Sequence, residues 1–193
     1  MKKAVLLFLI ILFVQPVYSD EGTRPTKTQD FKVKNLFGRE LSINFYHLPE
    51  DERPLMVVHL WAVWCSPCVE EFPEFLDFAK ANHKDIHVIA ISMSSSKDEL
   101  YNFIKYLRIV EDREIEHLFM AIGSEDKSSM NDNDASEYYN IQTLPMTLFI
   151  DRQGTIAMWH EGSLKWQDKK MRDAMKAFIE GEPIPSLAES SEE

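Results

Sequence analysis

Residues 57–73 read VVHLWAVWCSPCVEEFP, and this stretch decides the fold because an apolar run passes without a linker into a cysteine pair and then into helical spacing. Leu55 to Trp61 is nearly all apolar, which predicts a central strand buried on both faces. Beyond the cysteines, Val69, Phe72, Phe75, Leu76 and Ala79 recur every three or four residues and predict a helix with one apolar stripe. Cys65 and Cys68, the only cysteines among 193 residues, stand at this strand-to-helix junction.

Two cysteines at this spacing can close a small disulfide ring and reopen it without large backbone movement. At the first turn of a helix, unpaired N–H groups and the positive end of the dipole favour the Cys65 thiolate, which is the attacking species. Cys68, nearly one turn further in, is expected to be more buried and to resolve the mixed disulfide that Cys65 forms with a substrate. Ser66 and Pro67 lie between them and can tune ring strain and thiolate stability. A structural bridge is the main competing reading, but so short a loop removes little chain entropy. Zinc would need further cysteine or histidine ligands at short spacing. Haem attachment would need histidine after the second cysteine, where Val69 stands.

Outward from this segment, DFKVKNLFGRELSINFY (30–46) alternates on either side of Phe37-Gly38 and predicts a β-hairpin. IHVIAI (86–91) predicts a second buried strand, and Leu100, Phe103, Ile104 and Leu107 stripe a helix from about Lys97. HLFMAI (117–122) predicts another strand, and SEDKSSMNDNDASEYY (124–139) a polar loop leading into a short helical turn. MTLFID and TIAMWH flank Arg152-Gln153-Gly154 as an antiparallel hairpin. Met171, Ala174, Met175, Phe178 and Ile179 stripe a last helix ended by Gly181 and Pro183. The expected fold class is α/β: a mixed central sheet covered on both faces, with an N-terminal β-hairpin.

Composition narrows the partners. At 45% hydrophobic and 11% aromatic the chain can fill the core of one domain. Its formal charge of −11, with no clustering of lysine and arginine, argues against nucleic acid. Lys2 and Lys3, the apolar run Ala4–Val14, Pro16 and then Val17 to Ser19 form the pattern of a secretory signal peptide cleaved after Ser19. The run falls short of the roughly 20 residues that span a bilayer, although an uncleaved anchor is the alternative. The expected division is a signal peptide (1–19), one domain (20–182) and an acidic disordered tail (183–193). MNDNDASE (130–137) is rich in oxygen ligands but lacks the glycine and terminal glutamate of an EF-hand loop, and is read as a solvated loop in which Asp134 caps a helix.

VVHLWAVWCSPCVEEFP resembles the active-site segment of thioredoxin-fold thiol–disulfide oxidoreductases, especially cell-envelope members of the TlpA/ResA type. The hairpin, the tryptophan before Cys65, Pro73 and the segment TLPMTLFIDRQGTI match in order, over roughly Asp30 to Glu180. The resemblance implies a thioredoxin-like three-layer sandwich, a cis peptide before Pro145 and substrate backbone paired beside it. Thr143 and Leu144 depart from the glycine-containing segment more usual there. It further implies a proton-carrying role for Glu71, with Trp64, Leu144 and Pro145 at the substrate. His59 occupies a strand position where thioredoxin has a buried aspartate and this family often asparagine; a proton relay and a hydrogen-bonded core histidine are both open. The implied activity is exchange, in the reducing direction, with disulfides of envelope proteins in the periplasm or cell envelope, as in cytochrome c maturation. Electrons would come from a membrane-bound donor to a monomer needing no haem, flavin or metal. A non-catalytic thioredoxin-fold binding protein with a structural disulfide, and a peroxiredoxin-like peroxidase, are the alternatives. The peroxidase reading lacks a threonine-containing motif with a lone cysteine.

Overall fold

A strand that is apolar at every position needs cover on both faces and neighbours on both edges, and Leu55–Trp61 has all four. The computed structural model describes residues 24–35, 40–93, 97–107, 118–122 and 138–187. Seven strands form one sheet: β1 (Phe31–Asn35), β2 (Glu40–Ile43), β3 (Leu55–Trp61), β4 (Ile86–Ser92), β5 (Leu118–Ile122), β6 (Met146–Ile150) and β7 (Ile156–Glu161). Their spatial order is β2-β1-β5-β4-β3-β6-β7. β3 runs parallel to β4 and antiparallel to β6, with Val58 opposite Ile89 on one side and Leu148 on the other. β4 runs parallel to β5, and β6 pairs with β7 as the expected hairpin.

The N-terminal hairpin forms as expected, with Phe31 opposite Ile43. It also joins the main sheet, because β1 pairs antiparallel with β5 through Lys34–Ile122 and Asn35–Ala121. That long-range pairing had no local signal in the sequence.

Among the described residues three α-helices accompany the sheet: α1 (Ser66–Asn82), α2 (Lys97–Tyr106) and α3 (Lys169–Glu180). The parallel steps β3–α1–β4 and β4–α2–β5 move the same way along the sheet, so right-handed crossovers lay both helices on one face. α3 joins them there. Side chains alternate along a strand, so Leu55, Val57, His59 and Trp61 point to this helical face and pack with Phe72, Phe75, Leu100, Ile104, Met171 and Phe178. Met56, Val58 and Leu60 point the other way, onto a second cluster with Phe31, Phe45 and Tyr139. Both faces are covered, and the sandwich is the thioredoxin-like one. Among the described residues the second cover is made of the 3₁₀ turn Phe45–His47, Phe31 and the Tyr138–Tyr139 turn rather than of long helices. The polar loop, the turn at Phe37-Gly38, the leader 1–19 and the end of the acidic tail lie outside the described residues.

The stripe on α1 is broader than its sequence spacing predicts: Val69 is only half-buried, whereas Glu71 and Phe78 are buried beside Phe72 and Phe75. Trp61 anchors this face, with its ring 4.2 Å from Phe72 and 5.3 Å from Phe103.

α3 begins at Asp168, whose carboxylate accepts the Met171 N–H at 2.7 Å, and ends at Gly181, whose φ of 74° is the left-handed cap that glycine adopts without strain. Replacing Asp168 with alanine is expected to cost about 1 kcal/mol. The check is a lower urea midpoint with an unchanged slope.

Candidate active site

Past Trp61, residues 62–64 turn the chain so that Cys65 becomes the N-cap of α1. Its N–H donates to Ala62 O at 3.2 Å, and its own carbonyl accepts the Val69 N–H at 3.1 Å. Cys65 and Cys68 are joined, with S–S 2.03 Å and Cα–Cα 5.3 Å. The Cys68 N–H lies 3.3 Å from Cys65 Sγ and points at it. In the reduced state the same amide and the helix dipole would favour negative charge on that sulfur. Pro67, in the first turn, has no N–H to orphan there.

The two sulfurs have unequal access. Cys65 lines a groove of about 700 Å³ together with Trp64, Met93, Asn140, Ile141, Gln142, Thr143 and Leu144. Cys68 is fully buried and does not line it. Trp64 is 67% exposed and forms an apolar rim. The Leu144–Pro145 peptide is cis, as the resemblance implies. Pro145 itself is buried and does not line the groove, and its carbonyl accepts the Gly162 N–H at 2.9 Å, whereas Thr143 and Leu144 just before it do line the groove.

Glu71 follows Cys68 by one helical turn and is buried on the same face. Its Oε2 accepts two hydrogen bonds, from the Leu164 N–H at 2.7 Å and from Trp166 Nε1 at 3.0 Å. Burial nevertheless dominates and pushes its pKa up to about 7, the two donors opposing that rise and the Glu74 charge adding to it. His59 is buried on β3, with Nδ1 3.0 Å from Thr147 Oγ1 and Nε2 3.6 Å from Glu71 Oε1. Burial pushes the His59 pKa down to about 3, so at neutral pH this contact is not an ion pair with a charged ring.

These shifts fix the pH dependence of stability. Glu71 has a folded pKa above its unfolded value, so its contribution is fully present below about 4.5 and is lost as pH rises through about 7. His59 has a depressed pKa, so its contribution is present above about 6.5 and is lost as pH falls toward 3. Glu71→Gln is therefore expected to gain stability relative to the native chain as pH rises from 5 to 8, by up to about 3 kcal/mol. Urea midpoints of the oxidised proteins across that range are the check.

The structure thus gathers Trp64, Cys65 and Leu144 at one groove and places Cys68, Glu71 and His59 behind it. Thr147, Leu164 and Trp166 were missed in the sequence. Thr147 carries a faint signal, as a polar residue inside the apolar strand MTLFI, whereas nothing local connects Trp166 to α1. Among the described residues, no group of His, Cys, Asp and Glu is arranged to hold a metal ion, and no helix is long and apolar enough to cross a membrane.

Comparison with known proteins agrees with this architecture. The thioredoxin-like protein YneN of Bacillus subtilis is 24% identical over 143 residues, 74% of each chain. Sporulation thiol-disulfide oxidoreductase A of the same species is 24% identical over 154 residues, covering 79% of this chain and 82% of that one. Among solved structures, the exposed lipoprotein thioredoxin of Streptococcus pneumoniae superposes with a TM-score of 0.54 at 20% identity, covering 79% of this chain and 98% of that chain. StoA from Bacillus subtilis gives 0.53 at 19% identity, covering 75% and 100%. The family model described as thioredoxin-like matches residues 54–156. Since that match alone takes in more than half of the sequence, from just before β3 to the start of β7, the chain belongs to the thioredoxin-like family.

Proposed function

We propose that this protein is an exported thiol–disulfide oxidoreductase that reduces disulfides of other envelope proteins through Cys65 and Cys68. The observation that carries the reading is the unequal access of the two sulfurs: Cys65, 7% exposed, lines a groove of about 700 Å³, whereas Cys68 is fully buried and does not line it. The names of the relatives as thiol-disulfide oxidoreductases support the activity. The leader-like residues 1–19 support export.

In the reduced protein the Cys65 thiolate attacks one sulfur of a substrate disulfide, joins it, and releases the other sulfur as a thiolate that takes a proton from water. Cys68 then gives its proton to the Glu71 carboxylate and attacks Cys65 Sγ. The Cys65–Cys68 bond forms, the Cys65–substrate bond breaks, and the second substrate sulfur departs with the electron pair. A dithiol of a membrane-bound donor reverses these steps and restores the enzyme. Trp64 and Leu144 supply the apolar walls of the groove, and the backbone before Pro145 supplies polar groups for an extended substrate. Disulfides of the kind handled in cytochrome c maturation are the substrate class that the resemblance suggests.

Cys68→Ala tests the proposal, because it leaves the attacking sulfur and removes the resolving one. Expressed in its native envelope, this variant is expected to accumulate mixed disulfides that dithiothreitol releases, while Cys65→Ala/Cys68→Ala accumulates none. Equal background in both, together with a reduction potential below about −300 mV for the native pair, would show a structural bridge instead.

A further inference from the structure

We infer that His59 is a positioning residue for the exchange reaction: its Nε2 accepts the proton carried on Glu71 Oε1, so that the two side chains hold one proton between them behind the disulfide. The inference rests on the proposed exchange at Cys65 and Cys68 with Glu71 as the proton carrier.

Among the described residues three buried side-chain polar atoms lack a hydrogen-bond partner, and two of them, His59 Nε2 and Glu71 Oε1, face each other at 3.6 Å. Leaving two such atoms unsatisfied is costly, and buried polar groups without partners are rare enough to need a reason. One proton between them satisfies both. The distance lies slightly beyond a normal hydrogen bond, as contacts that tighten during a reaction often do in a resting site.

The surroundings hold both groups in place. His59 cannot turn: its ring stacks on Phe75 at 4.5 Å, meets the edge of Trp166 at 5.5 Å, and is tied through Nδ1 to Thr147, its partner across β3 and β6. Glu71 cannot swap its oxygens freely, since Oε2 already accepts two N–H donors. With Glu71 protonated, Oε1 carries the proton, Nε2 accepts it, and the Nδ1 hydrogen is then left for the Thr147 hydroxyl at 3.0 Å. Burial keeps the ring neutral, in agreement with an accepting Nε2.

When Glu71 ionises, its Oε1 meets the Nε2 lone pair, so this arrangement favours retaking a proton. The source of that proton is the Cys68 thiol, one helical turn earlier. The resolving step then balances within the site: the S–H proton moves to Oε1, the sulfur attacks Cys65, and the departing substrate thiolate is protonated by water. Of the charged groups, Glu74, on the same helix, adds to the upward pressure on Glu71. The other groups against the pair are uncharged: Phe75 of α1, Thr147 of β6, and Leu164 and Trp166.

The test is a pH titration of the ring-nitrogen NMR signals of the oxidised, ¹⁵N-histidine-labelled full chain, with His59 assigned by its loss in His59→Asn. The expected result is a shift of the His59 Nε2 signal whose midpoint coincides with the Glu71 carboxyl titration, and its absence in Glu71→Gln. His59→Asn keeps a group near Thr147 but stops short of Oε1. It is expected to lower the pH midpoint of mixed-disulfide resolution by about one unit, a tenfold change in Glu71 acidity. His59→Gln, which again reaches toward Oε1, should restore most of it. An Nε2 signal that ignores the Glu71 titration, or that still moves in Glu71→Gln, overturns the inference. A resolution profile unaltered in Glu71→Gln would overturn the role of Glu71 itself, a different result from an unaltered profile in His59→Asn alone.

Discussion

Cys65→Ser is expected to slow disulfide exchange about 1,000-fold or more, measured as reduction of a model protein disulfide at pH 7 with a dithiol donor in excess. The hydroxyl that replaces the thiol keeps the N-cap contact with the Cys68 amide but does not ionise near neutral pH, so the groove retains its shape and loses its nucleophile. Cys68→Ser should behave differently: the first attack survives, one equivalent of substrate thiol is released in a burst, and turnover stops at the mixed disulfide. This asymmetry separates chemistry from stability. Opening so short a loop costs about 2 kcal/mol by chain entropy, and costs the same whichever cysteine is replaced. Two variants with matching urea midpoints and opposite adduct behaviour would establish that the groove-facing sulfur attacks and the buried one resolves. Matching adduct behaviour would remove the distinction on which the proposed function stands.

Glu71→Gln is expected to slow resolution of the mixed disulfide about 100-fold at pH 7, within the range that a positioned acid–base group contributes. Glutamine preserves the acceptor for the Leu164 and Trp166 N–H groups, so the fold around the site is kept, but it can neither take nor return a proton. The pH profile carries the sharper signature. In the native protein the rate of resolution should rise through the region where Glu71 ionises, near 7, because the carboxylate is the form that accepts the Cys68 proton. In the variant that inflection should vanish and leave only the ionisation of the thiols. Stopped-flow measurement from a preformed Cys65 adduct isolates this step. A profile that keeps its inflection near 7 would assign it to another group.

Much of this protein is local and was therefore legible in its sequence. The run Leu55–Trp61 had to be a doubly buried strand because it offers no polar face, and the stripe after Cys68 had to be a helix because its spacing has no other use. Their direct junction located Cys65 at a helix N-terminus, and the strength of the hairpin and terminal-helix patterns followed from the same periodicities. Glu71 was picked out only through family resemblance, since a glutamate in a charged helix segment ordinarily faces water. The tertiary structure alone brought it under Leu164 and Trp166, residues 93 and 95 positions away, and set His59 beside Thr147, 88 positions away. It also decided that the N-terminal hairpin closes onto β5, whereas the deeper burial of Cys68 was already expected from its place nearly one turn into the helix. Periodicity reports which face of an element is dry, but the pKa of a buried group depends on which distant atoms share its cavity, and only the closed chain determines that.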